Sequence, residues 1–243
     1  MDPEIKVVPD AAEIAYEAAE RIVAAAERAA EEGRTFSIAL AGGSTPRTLY
    51  ELLATNAYKS RIDWPKVEVF FGDERNVPPD HKDSNFRMAR EALLSKVPIP
   101  GDNVYRMAGE LDADEAAKQY GQMLKEKFGD GGLDVVLLGM GDDGHTASLF
   151  PHTAALGESK HRAVANRVDK LNTTRITLTA PFINRAREVI FLVSGASKAA
   201  RLAEVLEGPR DPQRLPSQLI RPTEGRLVWL VDAPAAGMTG EEA

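Results

Sequence analysis

The chain has no cysteine among its 243 residues, which excludes disulfide bonds, thiolate metal sites and a cysteine nucleophile. It also has no apolar run that approaches the roughly 20 residues needed to span a bilayer. The first residues, Met1–Lys6, are acidic and lack an apolar core. We therefore expect no secretory signal, no membrane partner and a cytoplasmic location.

Excess positive charge is absent too, because the formal net charge is −7. Nucleic-acid-binding domains are normally basic, so we expect no nucleic-acid partner. A small anionic substrate remains compatible, since a few local cations and a helix N-terminus suffice to bind one phosphate. With 43% hydrophobic and 28% charged residues, the composition is that of a globular protein. We expect one domain over residues 1–243, as a monomer or weak dimer.

Apolar segments of strand length alternate with amphipathic segments of helix length. This order predicts an α/β fold with a largely parallel sheet and helices on both of its faces. The predicted strands are 36–41, 67–71, 134–139, 163–166, 175–179, 188–193 and 227–231. The predicted helices are 11–32, one beginning near Pro46, one from Asp83 or Ser84 to about Val97, one from Asp112 to near Gly129, a short one from Pro181, and about 197–207.

Four of the predicted strands end in polar or glycine-rich segments, which are Gly42–Pro46, Gly72–Arg75, Gly139–His145 and Ser194–Lys198. Ligands of open parallel sheets bind beyond the carboxyl ends of the strands. Because these four ends share one edge of a parallel sheet, we expect a single site built from all of them.

The segment Gly139–His145 carries the most chemistry, since Asp142, Asp143 and His145 lie between its glycines. Glycines allow backbone to come close to a ligand, and carboxylates beside an imidazole serve general acid–base chemistry near neutral pH. The alternative is a glycine-rich turn that only caps the following helix. The histidines are not clustered at metal-ligand spacing, so we expect no metal site.

The segment Gly42, Gly43, Ser44 and Thr45 precedes a predicted helix, where backbone N–H groups and hydroxyls can hold an anion. The alternative is that Ser44 or Thr45 is simply an N-cap. The segment matches neither a Walker loop nor the dinucleotide fingerprint.

Charged side chains follow two other strands. Lys198 lies near a predicted helix start, where a cation is unfavourable for the helix dipole unless an anion binds there. The alternative is a solvated surface lysine.

Asp73 and Arg75 lie at the end of an apolar strand, where their charges need to be solvated, bound to a ligand or paired with each other. Arg75 suits a phosphate or carbonyl oxygen and Asp73 can act on protons, whereas the alternative is a structural salt bridge from Asp73 to an arginine.

Taken together, these segments resemble the 6-phosphogluconolactonase family in the family's own order, over about residues 36 to 236. The matching segments are Gly42–Pro46; Gly72–Arg75 with Val77–Pro78 and Ser84–Asn85; Gly139–Pro151; Arg175–Thr179; Asn184–Ala186; Ser194–Gly195 with Lys198–Ala199; and Trp229, Asp232 and Ala235–Ala236. The stretch Ala165–Thr174 departs from the family because it lacks the usual prolines.

The resemblance implies a modified Rossmann-like fold and hydrolysis of 6-phospho-D-glucono-1,5-lactone, a step of the oxidative pentose phosphate pathway, with no cofactor and no required metal. The wider superfamily includes glucosamine-6-phosphate deaminase, in which a catalytic glutamate follows the motif histidine by five positions. Phe150 stands there in this chain, which disfavours deamination. A non-enzymatic sugar-phosphate sensor is a further alternative, although such proteins carry a DNA-binding module for which this chain has no spare length.

We predict the following roles for these residues. His145 is the general base on water, Asp143 orients its imidazole, and Arg75 with backbone N–H groups stabilises the oxyanion. Asp73 is a further catalytic residue with a proton-transfer role. The predicted phosphate-binding residues are Gly42, Gly43, Ser44, Thr45 and Lys198, with Arg185 as a second-tier cation.

Overall fold

The structure is a computed structural model that describes residues 2–238, so residues 1 and 239–243 of the predicted domain lie outside the described part. The strands are β1 (Glu4–Val8), β2 (Phe36–Leu40), β3 (Val67–Phe71), β4 (Asp73–Arg75), β5 (Val135–Leu138), β6 (Ala163–Val168), β7 (Thr173–Leu178), β8 (Glu188–Val193) and β9 (Arg226–Asp232). The helices are α1 (Ala11–Glu31), α2 (Ser44–Leu53), α3 (Asn56–Lys59), α4 (Asn85–Ala89), α5 (Ala113–Phe128), α6 (Ala180–Ile183) and α7 (Ala199–Glu207).

Six strands form a sheet in the order β1-β9-β8-β5-β2-β3, and every neighbouring pair is parallel. This confirms the predicted α/β fold with a largely parallel sheet. The four strands that precede the polar segments, β8, β5, β2 and β3, are adjacent in the sheet. Their carboxyl ends therefore meet at one edge, as the sequence predicts.

Helices cover both faces of this sheet. Val135 and Leu137 of β5 belong to the core that contains α1 and α2, whereas Val136 and Leu138 belong to the core that contains α5, α6 and α7. Successive side chains of a strand point to opposite faces, so a strand buried on both faces is apolar throughout. This explains why β5 is a continuous apolar run that ends abruptly in glycine.

A second, smaller sheet carries antiparallel strands in the order β4-β7-β6. Gly72 joins β3 of the large sheet to β4, so the small sheet begins where the parallel strands end. The hairpin between β6 and β7 turns at Asn172, whose φ of 45° lies in the left-handed region that asparagine tolerates. The small sheet is thereby placed next to the predicted site.

Four elements differ from the prediction. β1, β4 and the short helix α3 were not predicted, and the helix expected to reach about Val97 is an α-helix only over Asn85–Ala89 before a π-helical turn at Arg90–Leu94. β1 lies at the edge of the sheet with Ile5 and Val7 exposed, so its sequence has no buried apolar pattern. Among residues 2–238, no helix combines the length and apolar character required to cross a bilayer.

Candidate active site

A cavity of about 540 Å³ opens at the carboxyl edge of the parallel sheet. This volume is within the usual range for small-molecule sites. Six residues predicted from the sequence line it, and these are Gly42, Gly43, Asp73, Arg75, Asp143 and His145. The ends of β2, β3 and β5 thus contribute to one site.

The loop after β5 folds back on itself through its own backbone. Gly141 N donates to His145 O at 2.9 Å, and Gly144 N donates to Gly141 O at 3.0 Å. The Thr146 hydroxyl donates to Gly139 O at 2.8 Å. A Cβ atom on Gly141 would lie 2.1 Å from Nδ1 and Cε1 of His145, so only glycine fits beside the imidazole.

His145 and Asp143 form a hydrogen-bonded pair in which His145 Nδ1 lies 2.6 Å from Asp143 Oδ1. The backbone N–H of His145 donates to the same oxygen at 3.1 Å. When Nδ1 carries the proton of this contact, Nε2 is left as an acceptor. Burial lowers the pKa of His145 to about 4, so the imidazole is neutral at pH 7. Since 28% of its side chain is exposed at the cavity, the neutral ring can reach a substrate.

Asp73 is a buried carboxylate held by neutral donors. Ser148 Oγ donates to its Oδ2 at 2.6 Å, and Asn85 Nδ2 donates to its Oδ1 at 3.1 Å. Within residues 2–238, Asp73 forms no salt bridge with a lysine or arginine and its carboxylate is held by these neutral donors, so the structural salt bridge is not present there. A side chain on Gly42 would overlap the Asn85 amide, so this glycine makes room for the group that holds Asp73.

Glu74, between the two predicted catalytic residues, is turned away from the cavity and holds the start of α4. Its carboxylate accepts from Ser84 Oγ at 3.0 Å and from the backbone N–H groups of Asn85 at 2.7 Å and Phe86 at 2.8 Å. Burial raises its pKa. Its contacts are those of a structural residue.

Arg75 has a second arginine beside it that was not among the predicted site residues. Arg75 pairs with Arg175 in the register of β4 and β7, and both line the cavity. Arg75 donates to the carbonyl oxygen of Asp83. The buried Nε of Arg175 has no hydrogen-bond partner within residues 2–238. The site is therefore more cationic than the sequence suggested, because only the unpredicted pairing of β4 brings Arg175 to it.

The tip of the β6–β7 hairpin supplies another residue that the sequence did not indicate. Lys170 contacts the carboxylate of Asp143, and its Nζ lies 5.0 Å from the ring centroid of Phe150. Lys170 also lines the cavity. Asp143 is thus in contact with His145 on one oxygen and with Lys170 on the other.

Comparison of the chain with known proteins identifies its family. The family model described as glucosamine-6-phosphate isomerases/6-phosphogluconolactonase matches residues 9–229. The chain belongs to this family.

Curated and solved members of the family match most of the chain. A protein of Nostoc sp. named 6-phosphogluconolactonase is 43% identical over 242 residues, covering 97% of this chain and 98% of its own. One of Synechocystis sp. with the same name is 46% identical over 212 residues, covering 85% of each chain. The structure of 6-phosphogluconolactonase from Trypanosoma brucei has a TM-score of 0.86 at 32% identity, covering 97% of this chain and 98% of its own.

Two groups of predicted phosphate-binding residues lie at the margin of the cavity. They are Ser44 with Thr45, and Lys198. Ser44 and Thr45 begin α2, whose N-cap is Gly43 and has no side-chain cap bond, so neither hydroxyl is the N-cap. Gly43 has a φ of 105°, a conformation that favours glycine. Lys198 Nζ donates to Asp142 Oδ1 at 2.6 Å, which places its ammonium group beside the loop after β5.

Arg185 lies away from the site and does not belong to the phosphate-binding set. Arg185 lines a different cavity together with Asp134 and Glu188. Asp134 precedes β5 and Glu188 begins β8, so this cavity lies at the amino ends of the parallel strands. Arg185 follows α6 and precedes β8, which puts it at the opposite edge of the sheet from His145. Within residues 2–238, no group of three or more histidine, aspartate or glutamate side chains is arranged to hold a metal ion.

Proposed function

We propose that this chain hydrolyses 6-phospho-D-glucono-1,5-lactone to 6-phospho-D-gluconate, with His145 as the general base. The contact of 2.6 Å between His145 Nδ1 and Asp143 Oδ1, in a cavity at the sheet edge, carries the proposal. The names of the relatives at 43% and 46% identity support the reaction. The reaction opens a cyclic ester and is a step of the oxidative pentose phosphate pathway.

The neutral imidazole starts the reaction. Nε2 of His145 takes a proton from water while the water oxygen attacks C1 of the lactone, and Asp143 stabilises the imidazolium that forms. The C1–ring oxygen bond then breaks, and the imidazolium returns its proton to the ring oxygen. The carboxylic acid of the product loses its own proton to solvent.

The charged wall of the cavity stabilises the negative charge on the C1 oxygen in the intermediate. Arg75 supplies a cation there, together with backbone N–H groups of the glycine-rich loops. Asp73 faces the same cavity with its carboxylate held by Ser148 and Asn85, in position to orient a substrate hydroxyl or a proton. These assignments give the four catalytic residues separate tasks.

We assign the phosphate to the start of α2 and to Lys198. Gly42 and Gly43 line the cavity, and α2 presents the N–H groups of Ser44 and Thr45 at the positive end of its dipole. Lys198 lies beside the loop after β5, paired with the exposed carboxylate of Asp142. A phosphate dianion competes with that carboxylate for the ammonium group.

The assay that tests the function compares two substrates. Purified protein is expected to hydrolyse the phosphorylated lactone well above the spontaneous rate and to release no ammonia from glucosamine 6-phosphate. Ammonia release without lactone hydrolysis would make the chain a deaminase. Binding of 6-phosphogluconate without either activity would make it a sugar-phosphate sensor.

The phosphate assignment has its own test. Replacing Lys198 with alanine is expected to raise KM for the phosphorylated lactone about 10-fold or more, since a charge-assisted contact contributes about 1.5–3 kcal/mol. KM for unphosphorylated gluconolactone should change little. Equal effects on both substrates would remove Lys198 from the phosphate site.

Cytoplasmic location, a monomeric or weakly dimeric state, a single domain and the absence of a nucleic-acid partner stay predictions. Relatives described as chloroplastic in Oryza sativa are 38% identical to this chain.

A further inference from the structure

We infer that Phe150 is a positioning residue that holds the His145 imidazole in place and keeps water from its face. This inference rests on the proposed role of His145 as general base. Phe150 is not a catalytic residue in this account, because it acts on the substrate only through the imidazole.

Three contacts fix the imidazole ring. The Phe150 ring stacks on it with centroids 4.1 Å apart and an angle of 25° between the planes. Asp143 Oδ1 holds Nδ1 at 2.6 Å. The backbone of Gly141 packs so closely that a Cβ atom there would lie 2.1 Å from the ring. With its face, its Nδ1 and its Nδ1–Cε1 side all occupied, the imidazole has little freedom to rotate.

Phe150 is buried, with 5% of its surface exposed, although it lines the cavity. It therefore covers a face of His145 that water would otherwise reach on the cavity side. A solvated imidazole binds a proton more readily than a shielded one, because burial disfavours the charged form. The ring of Phe150 supplies part of that burial.

The charged groups around His145 act on its pKa in both directions, since anions raise it and cations lower it. The anionic ones are Asp143 and Asp142 on the same loop and Asp73 on β4, and the cationic ones are Lys170 on the β6–β7 hairpin, Arg175 on β7 and Lys198 before α7. Burial is the largest influence on the pKa of His145, which is about 4. Removing the covering ring is thus expected to raise this pKa.

The acidic limb of kcat/KM against pH tests the inference. Wild-type protein is expected to lose activity only near pH 4, where His145 becomes protonated. In Phe150→Leu, water reaches the imidazole and the limb is expected to move upward by about 1 pH unit or more. The matched control is Phe182→Leu, which truncates a buried phenylalanine outside the cavity and should leave the limb where it is.

A second readout does not depend on activity. The Cε1–H signal of His145, assigned by its loss in His145→Gln, is expected to titrate with a higher pKa in Phe150→Leu than in wild type. Phe150→Tyr keeps the aromatic ring, so His145 should titrate in this variant as it does in wild type. Phe150→Met serves as the truncation if the leucine variant does not fold, since methionine adapts to irregular space.

An unchanged titration of His145 in a folded truncation variant would overturn the inference. A shift shared by Phe182→Leu would also overturn it, because the effect would then be general loosening of the core. If wild-type protein does not hydrolyse the lactone but His145 titrates as expected, the proposed function fails while the positioning by Phe150 stands.

Discussion

Two neighbouring aspartates, Asp142 and Asp143, are chemically the same residue in different surroundings. Asp143 accepts hydrogen bonds from both the side chain and the backbone of His145, whereas Asp142 is 77% exposed and pairs with Lys198. The Lys198 ammonium group lowers the pKa of Asp142 through its hydrogen bond. Both carboxylates thus contact a lysine, but only that of Asp143 also holds the imidazole of His145.

This difference predicts unequal effects of the same substitution. Asp143→Asn is expected to lower kcat for lactone hydrolysis about 10²-fold or more, because an amide can turn its NH₂ group toward Nδ1 and place the remaining proton on Nε2. Asp142→Asn should leave kcat close to wild type. Steady-state kinetics of both variants would check this, and similar kcat losses in the two would contradict the role of Asp143.

At the scale of elements, Tyr50 joins α2 to the end of β2. Its buried hydroxyl donates to Ala41 O at 2.8 Å and accepts from Ala41 N at 2.9 Å. Burial raises the pKa of Tyr50, so the phenol stays protonated and able to donate. Because Ala41 directly precedes Gly42, this contact fixes where the glycine segment enters the cavity.

Tyr50→Phe removes the partner of both backbone groups of Ala41. Leaving two buried polar groups unpaired is expected to lower the free energy of unfolding by about 1–3 kcal/mol. Urea denaturation measures this, with Tyr16→Phe as the control, since Tyr16 is 48% exposed and should change by less than about 0.5 kcal/mol. Equal stabilities of wild type and Tyr50→Phe would show that water replaces the hydroxyl.

Elements with strong local signals could be predicted from the sequence. β2, β3, β5 and β8 are apolar runs followed by glycine or polar residues, and their parallel pairing brings His145, Asp143 and Asp73 to one cavity. The small sheet could not be foreseen, because β4 has only three residues, all charged, and its pairing with β7 depends on contacts distant in sequence.

The same cause explains the errors at the site. Arg175 begins a segment that matches the family, but it comes to the cavity through the pairing of β4 with β7, which its local sequence does not reveal. Arg185 lies within a segment that matches the family, but it precedes a strand rather than following one. Residues that follow a parallel strand reach the site edge, and residues that precede one reach the opposite edge.

At the scale of the whole molecule, the low pKa of His145 makes stability depend on pH. The folded protein has a pKa of about 4 there, and the unfolded chain has the ordinary value of about 6.5. The unfolded chain therefore binds more protons between these values, so stability falls as pH decreases from 6.5 to 4. Above pH 6.5 the group is neutral in both states and has no effect.

His145→Gln removes this dependence. As pH falls from 6.5 to 4, the free energy of unfolding of wild type is expected to decrease by about 1–3 kcal/mol relative to that of His145→Gln. This range allows for the partial exposure of the imidazole. Urea unfolding at several pH values measures it. A difference that stays constant with pH would contradict a neutral, shielded His145.

The role of His145 as general base is tested by the hydrolysis of 6-phosphogluconolactone by wild-type protein and by His145→Gln, each measured above the spontaneous rate. With the variant folded, as checked by circular dichroism, kcat is expected to fall about 10²–10⁴-fold, since the general base is gone. Asp143, Lys198 and the cavity remain in place, so the variant should still bind 6-phosphogluconate. A folded His145→Gln protein with near wild-type activity would contradict the role of His145 as general base.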